Sequence, residues 1–274
     1  MRTIKKVASH IFIDGFGGMT QGLFATLIIG TMIQQIGLLI GGSTGNVIYL
    51  LGKAAAALTS AGIGVGVAVK YGESPLVTVS AAVAAMVGGY AGKITGGTFF
   101  VDGNAVLAGP GEPLGAFIAA FAGITCGHLV SGKTKVDIIV TPVITIGAGS
   151  VVGLLVGPPI SQMMTGLGSI INWATEQRPF IMGIVVSVVM GMVLTLPISS
   201  AALGIILNLS GLAAGAATIG CCCNMVGFAV ASYRENKFGG LVAQGLGTSM
   251  LQVPNIMRHP LIWLPVIFSS AILG

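Results

Sequence analysis

The sequence predicts an all-α integral membrane protein, a polytopic bundle of transmembrane helices with re-entrant or broken segments. Three observations carry this. Hydrophobic residues make up 54% of the 274 and charged residues only 7%, against ~25% charged in soluble domains, and the mean hydropathy is +0.99. A soluble fold could not cover itself with so few charges, whereas a bilayer serves as solvent for a chain that closes its own backbone hydrogen bonds. The apolar stretches are continuous, not alternating at period two as in barrel strands, which selects helices. Glycine reaches 44 residues, roughly twice the usual share, as expected where helices in lipid approach through small residues.

In order along the chain, Arg2, Lys5 and Lys6 precede an apolar stretch that Asp14 and Gly15 interrupt at once, so no cleavable signal peptide is read. Ile4, Val7, Ile11 and Phe12 share one helical face, which predicts an interfacial helix over 3–13 with its lysines toward anionic headgroups. Segments 20–41, 47–69, 76–96, 114–131, 137–157, 179–197 and 211–232 approach the ~20 apolar residues of a span. Segment 159–175 is shorter and more polar. It either crosses or lies along the surface; a crossing keeps Arg178, Arg234 and Lys237 on the cytoplasmic side with Lys133 and Lys135. Segment 260–274 is apolar up to Gly274, so 1–274 reads as a single membrane domain whose last span is expected to be truncated. Small-residue runs at Gly88, Gly92, Gly96, at Gly149, Gly153, Gly157 and at Gly211, Gly215 mark candidate helix crossings.

Residues 97–113, GTFFVDGNAVLAGPGEP, are too apolar for a free loop and too broken for a helix. Such backbone is tolerated at membrane depth only inside protein or beside a wet cavity, which predicts a re-entrant hairpin. A second irregular region follows Pro197, and paired broken segments point to a substrate site. A short echo, Phe16-Gly17-Gly18-Met19-Thr20-Gln21-Gly22-Leu23 against residues 238–246, hints at an internal repeat.

The net charge is +5, but the twelve cations are scattered between apolar segments and form no patch for nucleic acid. Cys126 and the run Cys221, Cys222, Cys223 offer neither a disulfide framework nor a CxxC pair, and read as small residues within helices. The glycines of 144–153 imitate a dinucleotide loop without its βαβ context or its acidic residue. No metal-ligand spacing, nucleophile triad or cofactor motif is found.

An ionisable group at membrane depth costs at least ~2.5 kcal/mol, so each is a functional candidate. Glu73, Asp137, Glu176 and Glu235 fall near span ends and read as solvated loop charges, while Asp14 sits at a junction. Asp102 and Glu112 differ because both lie in the broken segment. Asp102-Gly103-Asn104 suits a turn at its tip. Glu112, just before Pro113, suits either a carboxylate that accepts sugar hydroxyls or acts as a base toward one, or a helix cap. His128 reads as a packing histidine or a ligand; Lys93 snorkels from near a span end, and Lys53 snorkels or pairs with an acid; His259 beside Arg258 is loop. Gln21, Asn46, Asn224 and Gln244 line a pathway or join helices.

The stretch Gly109-Pro110-Gly111-Glu112-Pro113-Leu114 resembles the G-x-x-E-P-[IL] motif of phosphotransferase-system sugar permeases, the membrane IIC subunits. TPVITIGAGSVVGLLVGPP, LTLPISSAALGI and FGGLVAQGLGTSMLQVPNI are similar to the IIC-like family that includes PfoR-type membrane regulators. The resemblance implies sugar uptake across a bacterial inner membrane, coupled to phosphorylation by a cytoplasmic IIB subunit that IIA supplies, and a homodimer. It places the motif glutamate, Glu112, at the sugar, with Asp102, Asn104 and His128 as further site candidates. The motif's usual Ile-Thr is Pro110-Gly111 here, and no IIA or IIB segment lies within these 274 residues. Two other classes stay open: a membrane sensor acting through a cytoplasmic partner, and a phosphate-independent carrier of a small metabolite.

Overall fold

A computed structural model describes residues 14–101, 103–107, 109, 111–196 and 211–274, with the backbone alone at 164–165, 167–177 and 179. The interfacial helix expected over 3–13, Asp102 and most of the irregular region after Pro197 lie outside the described residues. Contacts divide the chain into two compact units, Met1–Ser161 and Gln162–Gly274.

The first unit begins with α1 (Phe16–Leu23), which continues through a π-helical stretch, Phe24–Ile28, into α2 (Ile29–Ile40). Together they form one apolar helix of 25 residues, long enough to cross a bilayer. Gly41 (φ +67) and Gly42 (φ +64) reverse the chain in a turn that only glycine adopts readily. The expected span 47–69 follows, but broken: α3 (Gly42–Ala57) and α4 (Thr59–Lys70) meet at a 53° bend. The expected span 76–96 is also divided, into α5 (Pro75–Gly89) and α6 (Ala91–Thr95), with Tyr90 between them. α7 (Pro113–Val130) matches its expected span.

α4, α5 and α7 pack on one another, and α1 packs on α4. The crossings are made by small residues: a side chain at Gly18 would lie 2.7 Å from the Val67 Cα, and one at Gly153 would lie 2.8 Å from the Gly88 Cα. The run Gly149, Gly153, Gly157 thus does what its spacing promised, seating the next helix on Ala84, Gly88 and Ala91. α2 and α3 pack on each other and on the π stretch at their base. The residues they bury are glycines, Gly30, Gly37, Gly45 and Gly52, while Leu39 is 87% exposed and would face lipid.

α8 runs from Asp137 to Gln177 as one helix of 41 residues with Pro142, Pro158 and Pro159 inside it. The expectation of two segments, 137–157 and 159–175, is corrected here. Membrane helices tolerate proline because neighbours re-satisfy the freed backbone groups, so the Pro158-Pro159 pair does not end the helix.

In the second unit, α9 (Pro179–Thr195), α10 (Gly211–Ala231) and α13 (Leu264–Leu273) pack together. A broken region joins α10 to α13: α11 (Tyr233–Val242), a π-helical stretch Ala243–Gly247, a 3₁₀ turn Ser249–Gln252, α12 (Val253–Arg258) and a second 3₁₀ turn Pro260–Trp263. The α9–α10 crossing is at Gly191 and Gly220, where a side chain at Gly191 would lie 2.6 Å from the Gly220 carbonyl oxygen. Gly211 and Gly215, expected at a crossing, have nothing among the described residues within 4 Å of a side chain built on them.

Candidate functional site

Three interruptions of helix meet in the first unit. The first is the α3–α4 bend, where Leu58 leaves helical geometry (φ −86, ψ 10). The second is Tyr90 between α5 and α6 (φ −106, ψ 12). The third is the start of α7, where Glu112 is extended (φ −90, ψ 111) and Pro113 fills the first helical position.

Within residues 97–113, expected as a re-entrant hairpin, the described residues include a small antiparallel hairpin, β1 (Phe100–Val101) with β2 (Asn104–Ala105), Val101 paired with Asn104. Its chain reverses at Gly103 (φ +77) and is exposed, with Phe100 at 62%. Phe99 packs on the Tyr90 ring, centroids 5.3 Å apart, and the Val106 N–H donates to the Phe99 carbonyl at 2.8 Å.

The segment that returns to α7 is fixed at both ends. The Tyr90 hydroxyl donates to the Gly109 carbonyl, with the Ala57 carbonyl as a second acceptor at 3.4 Å. The Glu112 N–H donates to the Gly89 carbonyl at 2.7 Å. Between these anchors Gly111 (φ +76) has no room for a side chain, which would lie 2.5 Å from the Ser60 Oγ. Glu112 is half-buried, and its Oε1 accepts the Leu114 N–H at 3.4 Å, capping α7 where the helix dipole favours a negative charge. That cap uses one oxygen weakly and leaves acceptor capacity on a carboxylate among broken helices.

Of the residues the sequence singled out, Asn104 lies with Glu112 on this segment, exposed in β2. His128 does not join them. Sixteen residues further along α7, about 24 Å at 1.5 Å per residue, its Nδ1 stands 3.0 Å from Glu73 Oε1, with His128 71% and Glu73 8% exposed. Glu73, expected as a solvated loop charge, is instead a largely covered partner. Lys93 places its Nζ 5.4 Å from the Tyr90 ring centroid, whereas Lys53 is exposed on α3. Tyr90 and Ser60 were missed by sequence reasoning. The available signal was a tyrosine hydroxyl inside an apolar segment, which needs a partner when buried.

The second unit holds a different polar cluster. Asn224, fully buried, donates from Nδ2 to the Gly220 carbonyl and the Ser270 Oγ, each at 3.1 Å. Its Oδ1 accepts from the Thr195 hydroxyl at 3.2 Å and from the Trp263 Nε1 at 3.4 Å. Thr195 and Ser249 Oγ are 2.9 Å apart, and Ser187 donates to the Ser270 carbonyl at 2.9 Å. A parallel amide chain runs from Asn255 through Gln252 and Gln244 to Ser232, at 2.8, 2.9 and 2.9 Å. Asn224 and Gln244 therefore join elements here, one of the two roles read for them.

A cavity of about 690 Å³ in the second unit is lined by apolar residues that include Phe180, Leu212, Ala216 and Ile219, along with Gly211 and Gly215. Among the described residues that line it there is no polar side chain to orient a solute. Among the described residues no three of His, Cys, Asp or Glu stand close enough to share a metal ion.

A family model described as "Phosphotransferase system, EIIC" matches residues 13–274. No curated protein matches the chain.

Proposed function

Because the chain belongs to the phosphotransferase-system EIIC family, a multi-pass membrane subunit that works with IIA and IIB components, we propose that it is the permease subunit of a sugar-specific system with Glu112 at the sugar. The observation that supports this is a half-buried carboxylate at the meeting of three helix interruptions, with acceptor capacity beyond its cap. Interrupted helices supply polar backbone ends at membrane depth, which is where transporters place substrates. The carboxylate accepts hydrogen bonds from sugar hydroxyls, and toward the hydroxyl that becomes phosphorylated it accepts the proton as a base. The phosphoryl group comes from a IIB protein on the cytoplasmic side. The subunit itself binds the sugar and presents it, as a homodimer in a bacterial inner membrane. Asn104, on the same segment, is a second hydrogen-bonding contact; His128, paired with Glu73 at the far end of α7, stands outside this reading.

The test is Glu112→Gln. In detergent, the unfolding temperature of the protein is followed across sugars, sugar alcohols, ascorbate-like acids and nucleosides, since a compound that binds the folded state raises it. The variant should lose the shift that the wild type shows with one class. Uptake into vesicles carrying IIA, IIB and a phosphoryl donor should fall about 100-fold, the scale of a lost charged hydrogen bond. Full uptake in a folded variant would overturn the assignment of Glu112. Uptake that needs no phosphoryl donor would replace the permease with a free-standing carrier.

A further inference from the structure

We infer that Tyr90 is the positioning residue for Glu112, its hydroxyl tying the segment that carries the carboxylate to the bend between α3 and α4. The inference rests on the reading of Glu112 as the solute contact, but its geometry stands independently. Two successive residues, Gly89 and Tyr90, hold the two ends of a four-residue strip. The Gly89 carbonyl takes the Glu112 N–H at 2.7 Å, and the Tyr90 hydroxyl holds the Gly109 carbonyl. Gly111, left-handed at φ +76 and pressed toward Ser60, fixes the path between them. The carboxylate has little freedom left once its backbone is held and its Oε1 takes the Leu114 N–H.

The same hydroxyl reaches the Ala57 carbonyl at 3.4 Å. Ala57 is the last residue of α3, and the last carbonyls of a helix have no partner within it. A change in the 53° bend between α3 and α4 therefore moves one acceptor of Tyr90 relative to the other and is felt at Glu112. Tyr90 is 1% exposed, so water does not substitute for its hydroxyl.

The experiment is hydrogen exchange on the full chain in detergent, comparing Tyr90→Phe with the wild type. Phenylalanine keeps the ring against Phe99 and removes only the donor. Exchange over residues 106–112 should become about tenfold faster, the scale of about one lost hydrogen bond, while α7, α9 and α10 exchange as before. Replacing Tyr90 with 4-aminophenylalanine, which restores an N–H donor at the same place, should return the protection. Unchanged exchange over 106–112 in Tyr90→Phe, or an increase spread evenly over the protein, overturns the inference. If Tyr90→Phe does not fold, the 4-amino variant decides alone: protection at the wild-type level supports a donor role, and a folded protein with 106–112 unprotected overturns it. Because no solute is present, the result is independent of whether Glu112 contacts one, which the uptake experiment addresses separately.

Discussion

The two polar regions of this protein handle hydrogen bonds in opposite ways. Around Tyr90 the partners of side chains are backbone groups freed by helix breaks, and a carboxylate at the edge keeps spare capacity. Around Asn224 the side chains bond one another as well as nearby carbonyls: Thr195, Ser187, Ser249 and Ser270 are all fully buried, and each has a partner within the cluster. A closed network of neutral groups gives up bonds to accept a ligand, so its contribution is to hold α9, α10 and α13 in register. An open arrangement with a half-buried charge pays for its position by offering chemistry. On the function proposed above, it is unused acceptor capacity, not burial or number of hydrogen bonds, that sets the two regions apart.

Stability and uptake should separate along that line. The largest loss of stability is expected for Asn224→Leu, about 2 kcal/mol, because the half-buried Trp263 N–H loses its acceptor and Thr195 and Ser270 each lose one of their partners inside the bundle. Denaturant or thermal unfolding measures it, and a near-neutral result would mean the network does not hold the helices. Thr195→Val should cost about 1 kcal/mol, the scale of interhelical hydrogen bonds in membranes, with uptake per folded molecule unchanged. Glu112→Gln reverses the pattern, costing under about 1 kcal/mol as a weakened cap while abolishing most uptake; a large stability loss would recast Glu112 as structural. His128→Gln removes one member of a pair whose histidine is largely exposed, so less than about 1 kcal/mol is expected. Uptake should persist, and its loss would bring the far end of α7 back into the site. Gly215→Ala should lie within about 0.5 kcal/mol of wild type, since its side chain meets none of the described residues.

Apolar length made α7, α9 and α10 legible: the expected spans 114–131, 179–197 and 211–232 end within two residues of the helices observed. Glu112 was legible because a charge in an apolar, glycine- and proline-broken segment is costly without a reason. The break at Leu58 was not. It falls in Ala-Leu-Thr-Ser, with no proline or glycine adjacent, and arises where α4 turns to pack on α1, α5 and α7. The continuity of α8 was hidden for the opposite reason, since Pro158-Pro159 is a stop signal in water that a membrane helix overrides. Tyr90 lay unmarked inside 76–96 because its meaning depends on Ala57 and Gly109, thirty-three residues before it and nineteen after it. The echo between 16–23 and 238–246 is accompanied by two π-helical stretches, one following the first copy and one overlapping the end of the second. Yet Gln21 is exposed and Gln244 buried, so the two copies do not share an environment.

The hairpin of α2 and α3 has a consequence for how the chain is made. Its glycine seam closes on itself, Gly37 against Gly45 and Gly30 against Gly52, across a two-glycine turn. Contacts so close in sequence form quickly, and synthesis delivers the N-terminal residues first. The pair can therefore zip together in the bilayer before most of the chain beyond Ala57 has been made, leaving a finished post beside which the bend, and then the segment that carries Glu112, are laid down.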